Sequence, residues 1–266
     1  MKRKKIGLAL GSGSTRGFAH IGVLKVLIEE GIPIDYLVGS SAGAIVAGYY
    51  AVHGEIEGLE KLMLTMKKVE FATLVDLTTP KNALIRGKKM HRFLEKMYLK
   101  SEFSNTKIKL QVNATDLRKG REIDLVSGNI AEAVMASAAF PGIFPPIKKD
   151  KQLLVDGGVI NPTPVDVVRK MGADIILGVD LTMKGNISMA DPNIMEIIMR
   201  SFDVLRTETT KMTAKKVGKN LVIIKPKINP NYGFLRCFAN KREVIACGEE
   251  AARSSIPKIK KLLEGN

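Results

Sequence analysis

The segment Gly39-Ser40-Ser41-Ala42-Gly43 has the Gly-x-Ser-x-Gly spacing that is typical of a nucleophilic serine on a sharp turn between a strand and a helix. A short apolar segment precedes it, and a run of small residues with helical composition follows. The two outer glycines leave room for neighbouring backbone, and the turn projects the central hydroxyl. We therefore predict Ser41, rather than Ser40, as a nucleophile; the alternative is that either serine only caps the helix.

The three histidines are poorly placed to activate this serine, although a serine hydroxyl is a weak nucleophile without a base. His20 follows a Gly-rich loop, His53 lies far along the helix that Ser41 would begin, and His91 lies on a charged helix. None follows a late strand, where a Ser-His-Asp hydrolase on an open sheet would place its histidine. A catalytic triad is therefore not expected.

Asp156, in Leu154-Val155-Asp156-Gly157-Gly158, is the best candidate for the base, because a carboxylate held away from water becomes more basic. It follows a predicted buried strand. Ligand sites of parallel sheets lie at the carboxyl ends of strands, where Ser41 is also expected. The alternative for Asp-Gly-Gly is a surface turn. Lesser candidates after strand-like segments are Asp76, Asp116 and Asp180.

A second Gly-rich segment, Gly11 to Gly17, lies between a predicted strand and a predicted helix. Free N–H groups at the start of a helix can hold negative charge. The spacing is one residue too long for the Gly-x-Gly-x-x-Gly dinucleotide loop, and no Gly-Lys-Ser/Thr follows that would make a P-loop. A tight turn with only a structural role remains the alternative.

Together and in this order, the three segments resemble the patatin-like phospholipase family, and specifically its small bacterial members. Further matches to that family are the segments 17–24 and 136–146, and the resemblance covers about residues 6–180. It implies an α/β fold with three α/β/α layers and a mostly parallel central sheet.

The resemblance also implies a lipid ester substrate and a Ser–Asp dyad, with Ser41 as nucleophile and Asp156 as base. Backbone N–H groups of Ser12, Gly13 and Ser14 would stabilise the oxyanion, with serine at two positions where the family has glycine. Arg16 would orient the loop or contact lipid phosphate. No metal and no cofactor are expected. The implied substrate-binding loop comprises Ser12, Gly13, Ser14, Thr15, Arg16 and Gly17, while Gly39 and Gly43 flank the nucleophile and Gly157 and Gly158 follow the base.

Alternating strands and helices must position these residues. The residue patterns predict strands over 5–10, 34–38, 107–114, 122–126, 153–155, 174–179 and 221–224. They predict helices over 18–30, 42–53, 55–68, 88–99, 130–139, 166–171, 193–216 and from 241 onward, with a connector over 184–193. We expect a single domain over 1–266, with the motifs in 6–180 and a helical extension over about 185–266.

Composition limits the class of partner. The 266 residues include 42 Lys and Arg against 27 Asp and Glu, a net charge of +15, which favours nucleic acid, acidic lipid or phosphate unless the basic surface is only solvated. Aromatic residues make up 5% of the chain without a cluster for base stacking, so nucleic acid is not expected. Two cysteines, Cys237 and Cys247, exclude a disulfide scaffold and a thiolate zinc cluster and favour a reducing compartment.

No signal peptide and no transmembrane segment are predicted, so we expect a cytoplasmic protein. Peripheral contact with an anionic membrane, at its inner face, and homodimer formation stay open. The apolar residues of the helix over 193–216 form a lipid-facing lid, a dimer face or core packing, of which the last two are favoured. They are Ile194, Met195, Ile197, Ile198, Met199, Phe202 and Leu205.

The function predicted from these patterns is a lipid acyl hydrolase that cleaves phospholipid or another fatty acyl ester. The alternative is a catalytically weak or inactive regulator that binds a protein or an acyl ligand. A nucleotide or nucleic-acid binder is the least favoured hypothesis, because base-reading motifs are missing from the sequence.

Overall fold

Eight strands and ten helices lie in the described part of the computed structural model, which comprises residues 3–79, 83–183, 189, 191–232 and 234–265. The strands are β1 (Ile6–Leu10), β2 (Tyr36–Gly39), β3 (Lys109–Asp116), β4 (Arg121–Leu125), β5 (Ile147–Lys149), β6 (Gln152–Asp156), β7 (Ile175–Val179) and β8 (Leu221–Ile224). The helices are α1 (Phe18–Glu29), α2 (Ala42–His53), α3 (Glu57–Thr65), α4 (Lys68–Thr73), α5 (Lys88–Met97), α6 (Ile130–Ser137), α7 (Val165–Lys170), α8 (Ile194–Val217), α9 (Phe234–Ala239) and α10 (Lys241–Glu264). Short 3₁₀ turns cover Ser14–Gly17, Phe103–Asn105 and Gly157–Val159.

The strands form one sheet in the order β5-β6-β3-β2-β1-β7-β8, and β4 pairs with β3 beside this path. The neighbours from β3 through β2, β1 and β7 to β8 are parallel, whereas β4, β6 and β5 join by antiparallel pairing. β1 and β7 are buried along their whole length, which explains their unbroken apolar sequences. The prediction of a mostly parallel sheet is therefore confirmed. The centre of the sheet is parallel, and the antiparallel strands make the sheet as a whole mixed.

Alternate residues of β1 face two hydrophobic clusters, so helices cover both faces of the sheet. Leu8 and Leu10 belong to the larger cluster, to which α1, α2 and α10 contribute. Ala9 belongs to the smaller one, together with Val165 and Val168 of α7. This alternation produces the three layers that the family resemblance implied.

The direction of β6 differs from the expectation. Asp156 was expected at the carboxyl end of a parallel strand, but β6 runs antiparallel to β3, with Asp156 paired to Ala114. Since Gly39 at the end of β2 pairs with Val112, β3 continues past β2, and β6 enters this overhang from the opposite direction. Asp156 does lie near the segment that follows β2, as expected. It does so because the β5–β6 hairpin reverses the chain, and not because β6 is parallel to its neighbour.

Some element boundaries also differ. The helix predicted over 55–68 is α3, which ends at Thr65, and the sequence patterns missed α4, β5 and α9. These elements have between three and six residues except α3, which has nine, and such short elements carry little periodicity. The predicted connector over 184–193 lies partly outside the described residues.

The C-terminal part of the chain is built into the same sheet and layers. β8 pairs with β7, and α10 packs against α1 so closely that a Cβ at Gly22 would lie 2.0 Å from the carbonyl oxygen of Ile245. The expected helical extension thus contains a strand, while the division into domains stays a prediction. None of the described helices combines the length and hydrophobicity that crossing a bilayer requires.

Candidate active site

Ser41 lies on the sharp turn between β2 and α2, with φ 53° and ψ −119°. A residue with a Cβ rarely adopts this left-handed backbone, which costs of order 1–3 kcal/mol and is concentrated at functional sites. The turn is held by the Ser41 N–H, which donates to the hydroxyl of Ser137 at 2.8 Å. This turn, which we call the elbow, is not an ordinary helix cap, because the Ser41 side chain makes no capping bond to α2.

The two glycines of the elbow are required by close backbone approach. A Cβ at Gly39 would lie 2.4 Å from the Cα of Ala44, and one at Gly43 would lie 2.0 Å from the carbonyl oxygen of Leu10. Any side chain at either position would push α2 away from the sheet. The Gly-x-Ser-x-Gly spacing therefore has a direct steric cause.

Ser41 and Asp156 are in hydrogen-bond contact, although 115 positions separate them. The Ser41 hydroxyl donates to Asp156 Oδ2 at 2.7 Å, and both side chains are buried, with Ser41 8% and Asp156 1% exposed. The other carboxylate oxygen accepts the N–H of Gly158 at 2.8 Å. The Asp156 N–H donates to the carbonyl of Ala139, and the Thr115 hydroxyl donates to the carbonyl of Asp156, so the end of β6 is fixed from two sides.

Burial raises the pKa of the Asp156 carboxyl above its ordinary value. The Arg206 guanidinium, the Ser41 hydroxyl and the Gly158 N–H oppose this rise because each favours the ionised form. Burial outweighs these three groups. The carboxylate is therefore more basic than one in water, which suits it to accept a proton from a hydroxyl.

The Asp-Gly-Gly segment is a buried turn, so the alternative of a surface turn is wrong. A Cβ at Gly157 would lie 2.2 Å from Asn113 Oδ1, and one at Gly158 would lie 2.1 Å from Ser12 Oγ. The turn also bonds to itself, since the N–H of Asn161 donates to the carbonyl of Gly157 at 3.0 Å. Gly157 thus lets the turn pack against β3, and Gly158 lets it pack against the Gly-rich loop.

The Gly-rich loop supplies fewer N–H donors than the resemblance implied. The Ser12 N–H already donates to the carbonyl of Pro162 at 2.7 Å, so Ser12 cannot serve as an oxyanion donor in this arrangement. Gly13 has φ −174° and ψ 5°, and Ser14 has φ 52°. Their N–H groups precede the first hydrogen bond of the 3₁₀ turn, which the Arg16 N–H donates to the carbonyl of Gly13. Within the described residues, neither Gly13 N–H nor Ser14 N–H has a protein acceptor.

Arg16 orients the loop and is not available for lipid phosphate. Its guanidinium makes two bonds to Asp203 on α8, at 2.9 and 2.7 Å, and a third to the carbonyl of Gly13 at 3.2 Å. Gly17 follows it and lies against the elbow, where a Cβ would be 2.7 Å from that of Ala42. Thr15 precedes Arg16 in the same turn and interacts with Cys237.

Sequence reasoning missed two residues of α8 that reach the site, Asp203 and Arg206. Arg206 is 4% exposed, lies 3.5 Å from Asp156 Oδ1, and donates to the carbonyl of Gly158 at 3.1 Å. A signal was present, because a stripe of polar residues at helical spacing marks one face of α8. The stripe, all of it buried, is Asp203, Arg206, Thr207 and Thr210.

The opposite face of α8 is apolar and exposed, so core packing is wrong for most of the residues assigned to it. Ile194 is 78% and Leu205 65% exposed, whereas Phe202 packs on Phe140 with 4.9 Å between ring centroids. The side chain of Met195 lies outside the described residues. Further exposed apolar residues of this face are Ile197, Ile198, Val204 and Met212.

The histidines serve the fold. His20 Nε2 is 2.7 Å from the carbonyl oxygen of Gly11, and His53 Nε2 is 2.9 Å from that of Met97. Since a carbonyl oxygen only accepts, each of these ring nitrogens carries a proton. His91 lies 3.7 Å from Glu95 on α5. None of these three contacts involves Ser41.

The lesser carboxylate candidates also have structural partners. Asp76 accepts the N–H groups of Gly87 and Lys88 at the start of α5. Asp116 accepts those of Arg118 and Leu153, and Asp180 pairs with Lys225 at 2.7 Å. Within the residues that the structure places, no three His, Cys, Asp or Glu side chains cluster as metal ligands.

The sequence matches the family described as Patatin-like phospholipase over residues 8–169. It is 33% identical over 181 residues to a protein named Lysophospholipase NTE1 from Pyricularia oryzae, a match that covers 67% of this chain and 12% of that protein. It is 31% identical over 192 residues to an uncharacterised NTE family protein of Mycobacterium bovis, covering 71% of this chain and 53% of that protein. The chain thus spans about half the length of one of these relatives and far less of the other.

Two solved structures share the fold. VipD from Legionella pneumophila superposes with a TM-score of 0.67 at 13% identity, over 97% of this chain and 67% of VipD. ExoU in its complex with SpcU from Pseudomonas aeruginosa gives a TM-score of 0.54 at 14% identity, over 99% of this chain and 53% of that one. The likeness concerns the helix-flanked sheet.

Proposed function

The chain belongs to the patatin-like phospholipase family, and on this premise we propose that it is a serine acyl hydrolase of lipid esters. Ser41 is the nucleophile and Asp156 the base. The observation that carries the proposal is the 2.7 Å bond from the Ser41 hydroxyl to a buried carboxylate on a strained elbow. A serine with only a capping role needs neither the strain nor the buried charge.

The reaction follows from the roles of these two groups. Ser41 Oγ bonds to the ester carbonyl carbon while its proton passes to Asp156 Oδ2. The tetrahedral intermediate then expels the alcohol, which takes that proton as its carbon–oxygen bond breaks. In the second half, Asp156 accepts a proton from water, the resulting hydroxide attacks the acyl-serine, and the proton returns to Ser41 as the fatty acid leaves.

The oxyanion of each tetrahedral intermediate would be held by the N–H groups of Gly13 and Ser14. Both precede the first hydrogen bond of the 3₁₀ turn that leads into α1, and neither has a protein acceptor in the described part of the chain. The positive end of α1 adds to their effect. Losing one such donor costs about 3 kcal/mol of transition-state stabilisation in serine hydrolases.

The substrate class follows from the family and from the named relative. Lysophospholipase NTE1 of Pyricularia oryzae shares 33% identity with this chain over 181 residues, and the family match over residues 8–169 includes Ser41 and Asp156. We therefore place a phospholipid or lysophospholipid acyl ester in the site, with the segment around Pro141 as part of the acyl-binding wall. Phe140 lies there, beside Phe202 of α8.

We further propose that the outer face of α8 contacts an anionic membrane surface. This face exposes Ile194 and Leu205, and Lys215 and Lys216 follow on the same helix, so apolar burial and charge attraction would act together.

The test of this membrane contact is sedimentation with vesicles of phosphatidylglycerol and phosphatidylcholine. Leu205→Gln should weaken binding, while Leu117→Gln, on the β3–β4 turn, should not. Equal binding by both variants contradicts this contact, and concentration-dependent self-association lost in Leu205→Gln would favour a homodimer face instead.

The test of the hydrolase is turnover of lysophosphatidylcholine, phosphatidylcholine and a nitrophenyl fatty ester by the wild type and Ser41→Ala. We expect turnover in the wild type and none above background in Ser41→Ala. Ser40→Ala is the matched control, because Ser40 is also buried in the elbow but bonds Ser12 rather than Asp156. Zero turnover of all esters by the wild type would favour the regulator hypothesis, and equal rates in Ser41→Ala would exclude Ser41.

A further inference from the structure

We propose that Arg206 of α8 is a positioning residue for this reaction: it holds the Asp156 carboxylate so that one oxygen alone faces Ser41. The inference rests on the proposed function, because it assigns a role to a side chain that touches the base and not the substrate.

The hydrogen bonds divide the two carboxylate oxygens between different partners. Oδ2 accepts the Ser41 hydroxyl at 2.7 Å. Oδ1 accepts the N–H of Gly158 at 2.8 Å and lies 3.5 Å from Arg206 Nη2. Rotation of the carboxylate about its Cβ–Cγ bond would break both contacts of Oδ1, so the oxygen that faces the nucleophile is fixed.

Arg206 closes a ring with the turn that follows the base. Its Nε donates to the carbonyl of Gly158 at 3.1 Å, while the N–H of the same glycine donates to Asp156. The guanidinium also lies 5.5 Å from the ring centre of Phe140 and 5.7 Å from that of Phe202, which keep its plane in place. A lysine could supply the charge but not this fork of donors.

The other charged groups near the base already have partners. Arg16 and Asp203 satisfy each other on the side of the Gly-rich loop. Behind the Asp-Gly-Gly turn, Glu122 accepts from the amides of Asn113 and Asn161, and burial raises the pKa of that carboxyl. On β3, Asp116 accepts backbone N–H groups. Arg206 is thus the cation that faces Asp156 in the described part of the protein.

Removal of this cation has a readout that a purely structural role would not give. Burial raises the pKa of Asp156 and Arg206 lowers it, so loss of Arg206 must raise the pKa further. An opposite charge at this range typically lowers a carboxyl pKa by about 1–3 units. Since the base acts in its ionised form, the acid limb of the rate profile should move to higher pH.

The experiment is the rate of Ser41 labelling by a fluorophosphonate between pH 4 and 9, in the wild type, Ser41→Ala, Arg206→Met, Arg206→Lys and Thr207→Val. We expect the acid limb of Arg206→Met to lie about 1 unit or more higher. Arg206→Lys should keep the limb near that of the wild type but label more slowly, because the bond to Gly158 is lost. Thr207→Val, a buried change on the same face of α8, should match the wild type.

An unmoved limb in Arg206→Met overturns the proposal. If that variant does not fold, a wild-type labelling rate in Arg206→Lys overturns it instead. Labelling that persists in Ser41→Ala means that the proposed function has failed, which is distinguishable from either result. No labelling of the wild type removes both.

Discussion

Arg16 and Asp203 form a buried bidentate ion pair across 187 positions of the chain, with guanidinium-to-carboxylate distances of 2.9 and 2.7 Å. The pair joins the loop before α1 to the middle of α8. One turn further along α8, Arg206 contacts Asp156. A single helix therefore holds both halves of the candidate site, the N–H donors of the loop and the base at the end of β6.

Asp203→Asn should destabilise the protein, because it leaves the buried Arg16 guanidinium without its counter-charge. Loss of one partner of a buried pair costs about 3–5 kcal/mol. The measurement is urea unfolding at pH 7. The matched control is Glu29→Gln, which breaks the half-exposed pair with Arg253 and should cost less than about 1 kcal/mol. Equal small losses in both variants would mean that the Arg16–Asp203 pair does not fix the loop.

Ser14→Gly should stabilise the protein and retain activity. Ser14 has φ 52°, a left-handed backbone that costs a residue with a Cβ about 1 kcal/mol more than glycine. The change keeps the backbone N–H that we assign to the oxyanion. In thermal unfolding, Ser14→Gly should have a higher melting temperature than the wild type. Ser14→Ala, which keeps the Cβ, should show no such gain. A lower melting temperature for Ser14→Gly would contradict this explanation of the serine that replaces a family glycine.

His20 should make stability depend on pH. Burial lowers its pKa to about 4 from 6.5, and its Nε2–H donates to the carbonyl of Gly11 at 2.7 Å. The unfolded chain therefore binds a proton between these pKa values that the folded chain does not. The contribution of neutral His20 to the free energy of unfolding is therefore fully present above pH 6.5. It is lost as the pH falls toward 4, and the loss is about 3 kcal/mol.

The measurement for His20 is urea unfolding of the wild type and His20→Gln from pH 4 to pH 8. Glutamine keeps an N–H donor for Gly11 without titrating in this range. We expect the wild type to lose more stability than the variant on acidification, by about the difference given above. Parallel stability curves for the two proteins would show that His20 is not the group responsible.

The pairing of Ser41 with Asp156 could be anticipated because each residue lies in a local pattern with a steric cause. In the turn with Ser41, close backbone approach requires glycine at positions 39 and 43. In the turn after Asp156, the closeness of Asn113 and Ser12 requires glycine at positions 157 and 158. Such constraints leave a trace in the sequence that can be read without knowing the fold. The buried strands before both turns are equally visible as apolar runs.

Long-range contacts left no comparable trace. The reversal of β6 depends on a hairpin whose first strand, β5, has three residues. For the apolar residues of α8, the sequence left a lid, a dimer face and core packing open and favoured the last two, whereas the buried face carries Asp203 and Arg206. The loss of Ser12 as a donor depends on Pro162, which is distant in sequence. Each of these requires the positions of two segments at once.

The most direct test of the dyad is kcat/KM of Asp156→Asn on a nitrophenyl fatty ester at pH 8. Asparagine keeps the size of the side chain but cannot accept the proton of Ser41, so we expect a fall of about 10²–10⁴-fold with folding retained. Asp180→Asn, a buried carboxylate after β7 that pairs with Lys225, should stay within a few-fold of the wild type. A rate for Asp156→Asn that equals that of Asp180→Asn would contradict the Ser41–Asp156 mechanism.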